Sequence, residues 1–354
     1  LMLLAGVIAI AVNVIFLVIW KANINAAKDA EDIKKQGKKL PGFFDELAAY
    51  LDSKLYRTLM ALPLTGILLF TVLPLLFMIL IAFTNFDNAH QPPGKLFTWV
   101  GLDNFKALLI SSEKIGRTFW GILGWTIIWA ILATFLNYIF GIMLALLINR
   151  DGTRLKGMWR TIFVISIAIP QFVSLLVIRV MLNDNGAINQ LLRELGFIAQ
   201  SKSLPFLSDP TWARCTVVIV NLWVGIPYTM LIATGILQNI PRELYESAKV
   251  DGANAFVTFT RITMPYVIFV TTPYLITQFI GNINNFNVIY FLTGGGPLSL
   301  DYYQAGKTDL LVTWLYRLTT GSVKDYSYAS AIGILVFLLS ATFSLLTYRR
   351  TSSY

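Results

Sequence analysis

A chain of 354 residues that is 56% hydrophobic and only 13% charged has too few charges to cover a water-facing surface of its size. Its mean hydropathy of +0.65 places it in a bilayer, and its formal net charge of +9 then reflects orientation there, not affinity for nucleic acid. The one cysteine, Cys215, excludes an internal disulfide, and neither it nor the one histidine, His90, points to a thiol catalyst or a metal site.

Crossing about 30 Å of hydrocarbon takes about 20 apolar residues. Seven uncharged runs reach or approach that length: 1–20, 60–83, 118–149, 161–178, 215–241, 262–292 and 326–348. Backbone groups cannot stay unsatisfied in lipid, so each run is expected to be helical, giving an all-α polytopic membrane protein with seven spans. Residues 1–57 read as a first span plus a cytoplasmic linker, and residues 58–354 as one helical membrane domain. Within the linker, Phe44, Leu47, Leu51 and Leu55 make one apolar helical face, suited to lying along the membrane surface.

Lysine and arginine orient the chain. One alternate set of connections (21–57, 150–160, 238–261 and the tail) holds 17 of them, and the longer opposite set (84–117, 183–214, 293–325) holds ten. The first set is therefore expected to be cytoplasmic, together with the C-terminus. Seven spans then put Leu1 outside, and an eighth, upstream span is expected in the full protein. The outer connections carry turn chemistry at Pro92-Pro93-Gly94, Asp184-Asn185-Gly186 and Ser208-Asp209-Pro210, with a short helix over 187–195.

The composition of the spans narrows the function. None of the seven holds Asp, Glu or His, the groups that ion-coupled carriers often bury as coupling sites. Coupling through neutral oxygens stays open, so an ion-coupled secondary sugar transporter is the alternative from another class. Gly306-Lys307-Thr308 resembles the end of a P-loop, but the glycine needed five positions earlier is replaced by Asp301. The glycines of Thr293-Gly294-Gly295-Gly296-Pro297 read as a helix stop. No catalytic constellation is present, so the chain is expected not to be an enzyme and to hold no cofactor of its own.

The stretch YESAKVDGANAFVTFTRITMPYV, residues 245–267, interrupts the apolar pattern on the cytoplasmic side. Asn239 is expected to cap a helix with Pro241 in its first turn, running to about Val250. Asp251-Gly252 then permits a sharp turn, and a second short helix leads to Pro265. A helix-turn-helix of this size cannot bury itself and needs a partner surface.

Here the sequence resembles the loop of ABC-importer membrane subunits written Glu-Ala-Ala, three residues, Gly, nine residues, Ile-x-Leu-Pro. Glu246, Ser247, Ala248, Gly252, Ile262 and Pro265 keep that spacing, with Ser247 for Ala and Met264 for Leu. The resemblance implies the type I importer permease fold, with loop 239–266 as a coupling helix docked in a cytoplasmic ATPase that holds the ATP and Mg. Asn221 to Tyr228, Asn284 to Asn287, Gly101-Leu102-Asp103-Asn104-Phe105 and Thr308-Asp309-Leu310-Leu311 further resemble the larger, MalF-type permease of maltose and maltodextrin importers.

The flanking spans carry polar side chains on single faces, Asn221, Gly225 and Tyr228 on one and Gln278, Asn282 and Asn285 on the other. Neutral amides suit sugar hydroxyls, and a tyrosine face suits the apolar side of a pyranose. Spacing alone allows equally that the amides are glue between helices. The resemblance implies a sugar path at Ser174, Asn221, Val224, Gly225, Tyr228, Gln278, Asn282 and Asn285. It also implies a second permease subunit, an ATPase dimer, an extracellular sugar-binding protein and a maltodextrin substrate, another neutral oligosaccharide such as a galacto-oligosaccharide being the alternative. The outer connection after Phe83 is too short for the folded periplasmic domain of enterobacterial forms. The expected location is the bacterial cytoplasmic membrane.

Overall fold

The computed structural model describes residues 2–91, 93–150 and 152–349, without the side chains of 2–4. Leu1, Pro92 and Arg350, which enter the reading above, lie outside the described residues. Among those described, six helices are long and apolar enough to cross a membrane, and a bent pair brings the number to seven. The chain divides into two compact units, Leu1–Gly101 and Leu102–Tyr354.

The first unit holds α1 (Met2–Lys35), α2 (Phe43–Leu51), α3 (Leu55–Ile67) and α4 (Leu73–Ile81). α1 outruns the apolar run that ends at Trp20, because the charged stretch after it is rich in Ala and Lys and meets no glycine until Gly37, at φ +70°. α2 leaves Phe44, Leu47 and Leu51 exposed, the apolar face expected of a helix lying on a membrane surface. One wide π-type turn at Leu68–Val72 joins α3 to α4, two residues before Pro74. Proline has no N–H to give and its ring crowds the carbonyl four residues back, so a wider turn keeps the helix continuous.

In the second unit, α5 (Asp103–Leu109) precedes α6 (Lys114–Asn149), which packs along α10 (Pro210–Gln238). A side chain at Gly141 would strike Thr229, so the two backbones approach closely there, as small residues allow in membranes. Between them in sequence come α7 (Lys156–Ala168), α8 (Gln171–Met181) and α9 (Ala187–Glu194). α9 falls where the sequence put a short outer helix.

The fourth run does not form one helix. α7 and α8 meet at an 88° bend, because Pro170 forces the residue before it, Ile169, out of the helical region to ψ 127°. α10 starts five residues before the uncharged run does, since Asp209 Oδ1 accepts from the N–H groups of Thr211 and Trp212 at 2.9 and 3.0 Å. Arg214 is tolerated in it because its guanidinium lies 4.7 Å from the Trp125 ring centroid and donates to the Lys307 carbonyl. Asp209→Ala should cost about 1 kcal/mol, read as a lower melting temperature in detergent.

α11 (Arg242–Val250) and α12 (Ala255–Thr258) form the hairpin. The cap expected of Asn239 is not made: Asn239 ends α10, and Pro241 takes the capping position of α11. The proline keeps Ile240 from continuing α10, so the junction falls at the proline instead of before it. The second hairpin helix does not end at Pro265. A wide turn at Phe259–Thr263 carries it straight into α13 (Met264–Ile283), one continuous 29-residue helix from Ala255. Pro265 again stands two residues past the wide turn, as Pro74 does.

The sixth run is likewise shorter than expected, ending at Ile283, with α14 (Asn287–Leu292) following as a separate piece. The Asn285 amide oxygen accepts from Val288 N–H at 3.2 Å, so a local amide starts a new helix in place of continuing the old one. α15 (Leu311–Thr320) and α16 (Tyr326–Tyr348) complete the unit.

Two apolar clusters hold α6 and α10 together. Trp125, Trp129, Ala133, Val217 and Val220 belong to one, with Val288 and Ile289 of α14. Tyr138, Ile142, Ala145, Met230 and Ala233 belong to the other, with Val267 of α13. In lipid these contacts stabilise by close packing more than by escape from water. Between the clusters lies a polar waist.

Candidate functional site

The waist is a small cleft bounded by α6, α10 and α13, lined by Thr134, Asn137 and Tyr138, by Gly225, Tyr228 and Thr229, and by Tyr274 and Gln278, with Ala133 and Leu275. None of these side chains carries a charge. Two bridges tie its walls: Tyr138 and Thr271 hydroxyls at 2.6 Å, and Thr229 and Tyr274 hydroxyls at 3.2 Å. The Tyr228 and Tyr274 rings lie 6.4 Å apart. A volume of about 40 Å³ admits a water but falls far below the roughly 300 Å³ of ligand pockets. As it stands, the waist is too small to hold a sugar.

The structure brings three of the eight sequence-derived path residues, Gly225, Tyr228 and Gln278, to this cleft. Asn282 and Asn285 do not line it. Asn282 is buried, donates to Thr134 Oγ1 at 3.0 Å and receives the Trp129 indole N–H on its carbonyl at 3.2 Å. Asn285 donates to Asn282 Oδ1 at 3.3 Å. Asn221, one turn before Gly225, is buried with its Nδ2 lacking an acceptor. Val224 is half-buried beside Gly225, and Ser174 is half-buried on α8. Thr134, Asn137, Tyr138 and Tyr274 were not found by the sequence reading. Their signal was present: Thr134, Asn137 and Tyr138 share a helical face in an otherwise apolar run.

At the hairpin the turn is closed by Asp251 N–H to Ser247 O (2.9 Å), Gly252 N–H to Lys249 O (3.1 Å) and Ala253 N–H to Ala248 O (2.9 Å). Gly252 sits at φ +73°, a region that side chains resist. Asn254 caps the next helix, accepting from Val257 N–H at 2.9 Å. Ala248 is buried, Glu246 and Ser247 are exposed, Ile262 is half-buried in the wide turn and Pro265 is exposed. Tyr245 and Thr263 hydroxyls, 3.1 Å apart, fasten α11 to the long helix. Val250 and Phe256 flank the turn at 88% and 73% exposure, large apolar groups offered to an outside surface.

A larger cleft of about 240 Å³ lies beside the triple glycine, lined by Tyr290, Asp309, Tyr316 and Arg317 among others. Its polar heads are already paired. Arg317 donates to the Gly294 carbonyl and lies 3.2 Å from Asp309 Oδ2, while Asp309 also accepts from Gly306 N–H at 2.7 Å and Thr313 Oγ1 at 2.8 Å. Burial pushes the Asp309 carboxyl up, and Arg317, Gly306 and Thr313 oppose that. A side chain at Gly295, at φ +81°, would strike Asp309. The glycines therefore end α14 and also make room for this clasp. Lys307, in the stretch that resembled a P-loop, lies 3.9 Å from the Tyr302 ring centroid.

Residues 137–350, which include most of the polar waist and all of the hairpin, match the family described as binding-protein-dependent transport system inner membrane component. The chain belongs to this family of permeases. Across 100% of its length the permease is 35% identical to the maltodextrin transport system permease protein MdxF of Bacillus subtilis (strain 168), covering 82% of that protein. It is 37% identical across 100% of its length to the galactooligosaccharides transport system permease protein GanP of the same organism, covering 83% of it. The fold is similar to a chain in the crystal structure of a bacterial ABC transporter involved in the import of the acidic polysaccharide alginate. That likeness has TM-score 0.65 at 22% identity, over 86% of this chain and 96% of that one. The resemblance read from the hairpin and the Asn221 to Tyr228 segment is thus met by full-length relatives.

Proposed function

We propose that this permease carries a neutral oligosaccharide, a maltodextrin, inward by alternating access driven by ATP hydrolysis in a cytoplasmic ATPase dimer. A second permease subunit and an extracellular sugar-binding protein complete the importer, and ATP and Mg belong to the ATPase. The observation that carries this reading is one of continuity: an uncharged cleft of amides and tyrosines is walled by the helix that begins at the exposed hairpin.

The substrate path is assigned to Ser174, Asn221, Val224, Gly225, Tyr228, Gln278, Asn282 and Asn285, and ATPase coupling to Glu246, Ser247, Ala248, Gly252, Ile262 and Pro265. Amides offer a donor and an acceptor to each sugar hydroxyl, and an aromatic face covers the apolar side of the ring. The absence of charge among the described lining residues argues against an acidic sugar. Galacto-oligosaccharides are the second reading, favoured by the similarity to GanP.

Uptake of labelled maltotriose and of a galacto-oligosaccharide by the assembled importer in proteoliposomes separates the two. Uptake that persists without ATP and collapses with an ionophore would instead establish an ion-coupled carrier. Within the path, Tyr228→Ala should raise the KM for maltotriose about tenfold, the worth of roughly 1.4 kcal/mol of ring contact.

A further inference from the structure

Asn137 stands on α6 at the centre of the waist, where no path residue was assigned. Three observations single it out. It lines the cleft together with Gly225, Tyr228 and Gln278, so it shares their surface from a third helix. Its side-chain oxygen is buried and accepts no hydrogen bond. Any side chain at Gly225 would collide with the Asn137 amide, so the glycine on α10 leaves the space that this amide fills.

A buried acceptor without a donor is costly and calls for an explanation. Packing alone does not call for an amide here, because leucine has the same branched heavy-atom skeleton and no orphaned atom. Nor does it bridge the helices at this level, where hydroxyl pairs already do so: Tyr138 with Thr271, and Thr229 with Tyr274. A second orphan lies one turn away, the donor Nδ2 of Asn221. An unused acceptor in the wall of an uncharged cleft, with an unused donor one turn before Gly225 on α10, is complementary to a hydroxyl, which both donates and accepts. We propose that Asn137 binds substrate directly, accepting a hydrogen bond from a sugar hydroxyl when the waist opens, with Gly225 keeping its amide in place.

This inference rests on the sugar path through the waist, and the test separates the two. Asn137→Leu and Tyr228→Ala are placed in the assembled importer, and ATP-driven maltotriose uptake and melting temperature are measured for each. The expected result for Asn137→Leu is a KM raised about three- to tenfold, the worth of one neutral hydrogen bond, with a melting temperature equal to or above that of the parent. An unchanged KM overturns the inference, and so does a raised KM accompanied by a lower melting temperature, which assigns the amide to packing. If Asn137→Leu does not assemble, Asn137→Ser, which cannot overfill the site, is judged by KM alone. If Tyr228→Ala raises KM and the Asn137 variants do not, the path stands and Asn137 is not part of it. If neither changes KM, the path itself is misassigned and the inference falls with it.

Discussion

Replacing Gly252 by valine should abolish sugar-stimulated ATP hydrolysis by the assembled importer while the permease stays inserted and folded. Gly252 holds φ +73°, and a Cβ built there meets no atom within 4 Å, so the whole penalty is backbone strain. Left-handed geometry costs an ordinary side chain roughly 1–2 kcal/mol and a β-branched one more. Three consecutive N–H groups, those of Asp251, Gly252 and Ala253, close this turn onto the end of α11. Relaxing φ therefore opens the turn and displaces Val250 and Phe256, the exposed apolar groups on either side of it. The strain is local and the bundle is far from it, so melting temperature should move little. Gly252→Asn should retain most of the stimulation, because asparagine visits this region readily. Full maltotriose-stimulated ATPase in the valine variant would overturn the coupling role.

Arg317→Met should be among the most destabilising single substitutions in the second unit, costing about 3 kcal/mol. The Asp309 side chain is 1% exposed and that of Arg317 23%, so little solvent screens the pair. Methionine leaves a carboxylate buried with only Gly306 N–H and the Thr313 hydroxyl, and removes the donor to the Gly294 carbonyl. The loss depends on pH in a definite direction. Asp309 already has its folded pKa raised above the ordinary 3.8, and removing the cation raises it further. Its protonated form is the one the fold tolerates, so the associated stability is full below the unfolded pKa and disappears as pH rises through the folded one. The gap between variant and parent melting temperatures should therefore be widest near neutrality and shrink on acidification. A gap independent of pH would show that the carboxylate is not the group left stranded.

Helix existence was legible in the sequence because lipid leaves the backbone no alternative, and every apolar run is helical over most of its length. Interruptions were less legible. Pro170 marks an 88° bend in its run, whereas Pro74 and Pro265 each follow a wide turn, and Pro63, Pro227 and Pro273 sit inside continuous helices. One residue type thus gives opposite outcomes, and composition leaves no mark of which one follows. The hairpin turn at Gly252 was legible because a glycine after aspartate has a local cause. The cap at Asn239 was misread because Pro241 overrides it. Asn137 escaped notice for a different reason: the polar faces considered were those beside the hairpin, and the third wall of the cleft comes from a helix more than 80 residues earlier in the chain.

The wide turn at Phe259–Thr263 makes α12 and α13 one continuous rod, joined at one end to the hairpin and carrying Tyr274 and Gln278 near the other. At 1.5 Å per residue the span from Arg261 to Gln278 is about 25 Å, so a tilt of ~10° about the hairpin end swings Gln278 by ~4 Å. That stroke is wider than a water molecule and comparable to the thickness of a sugar ring. A modest rocking of the rod is enough to turn a crevice that admits only solvent into a passage, without any helix having to unwind.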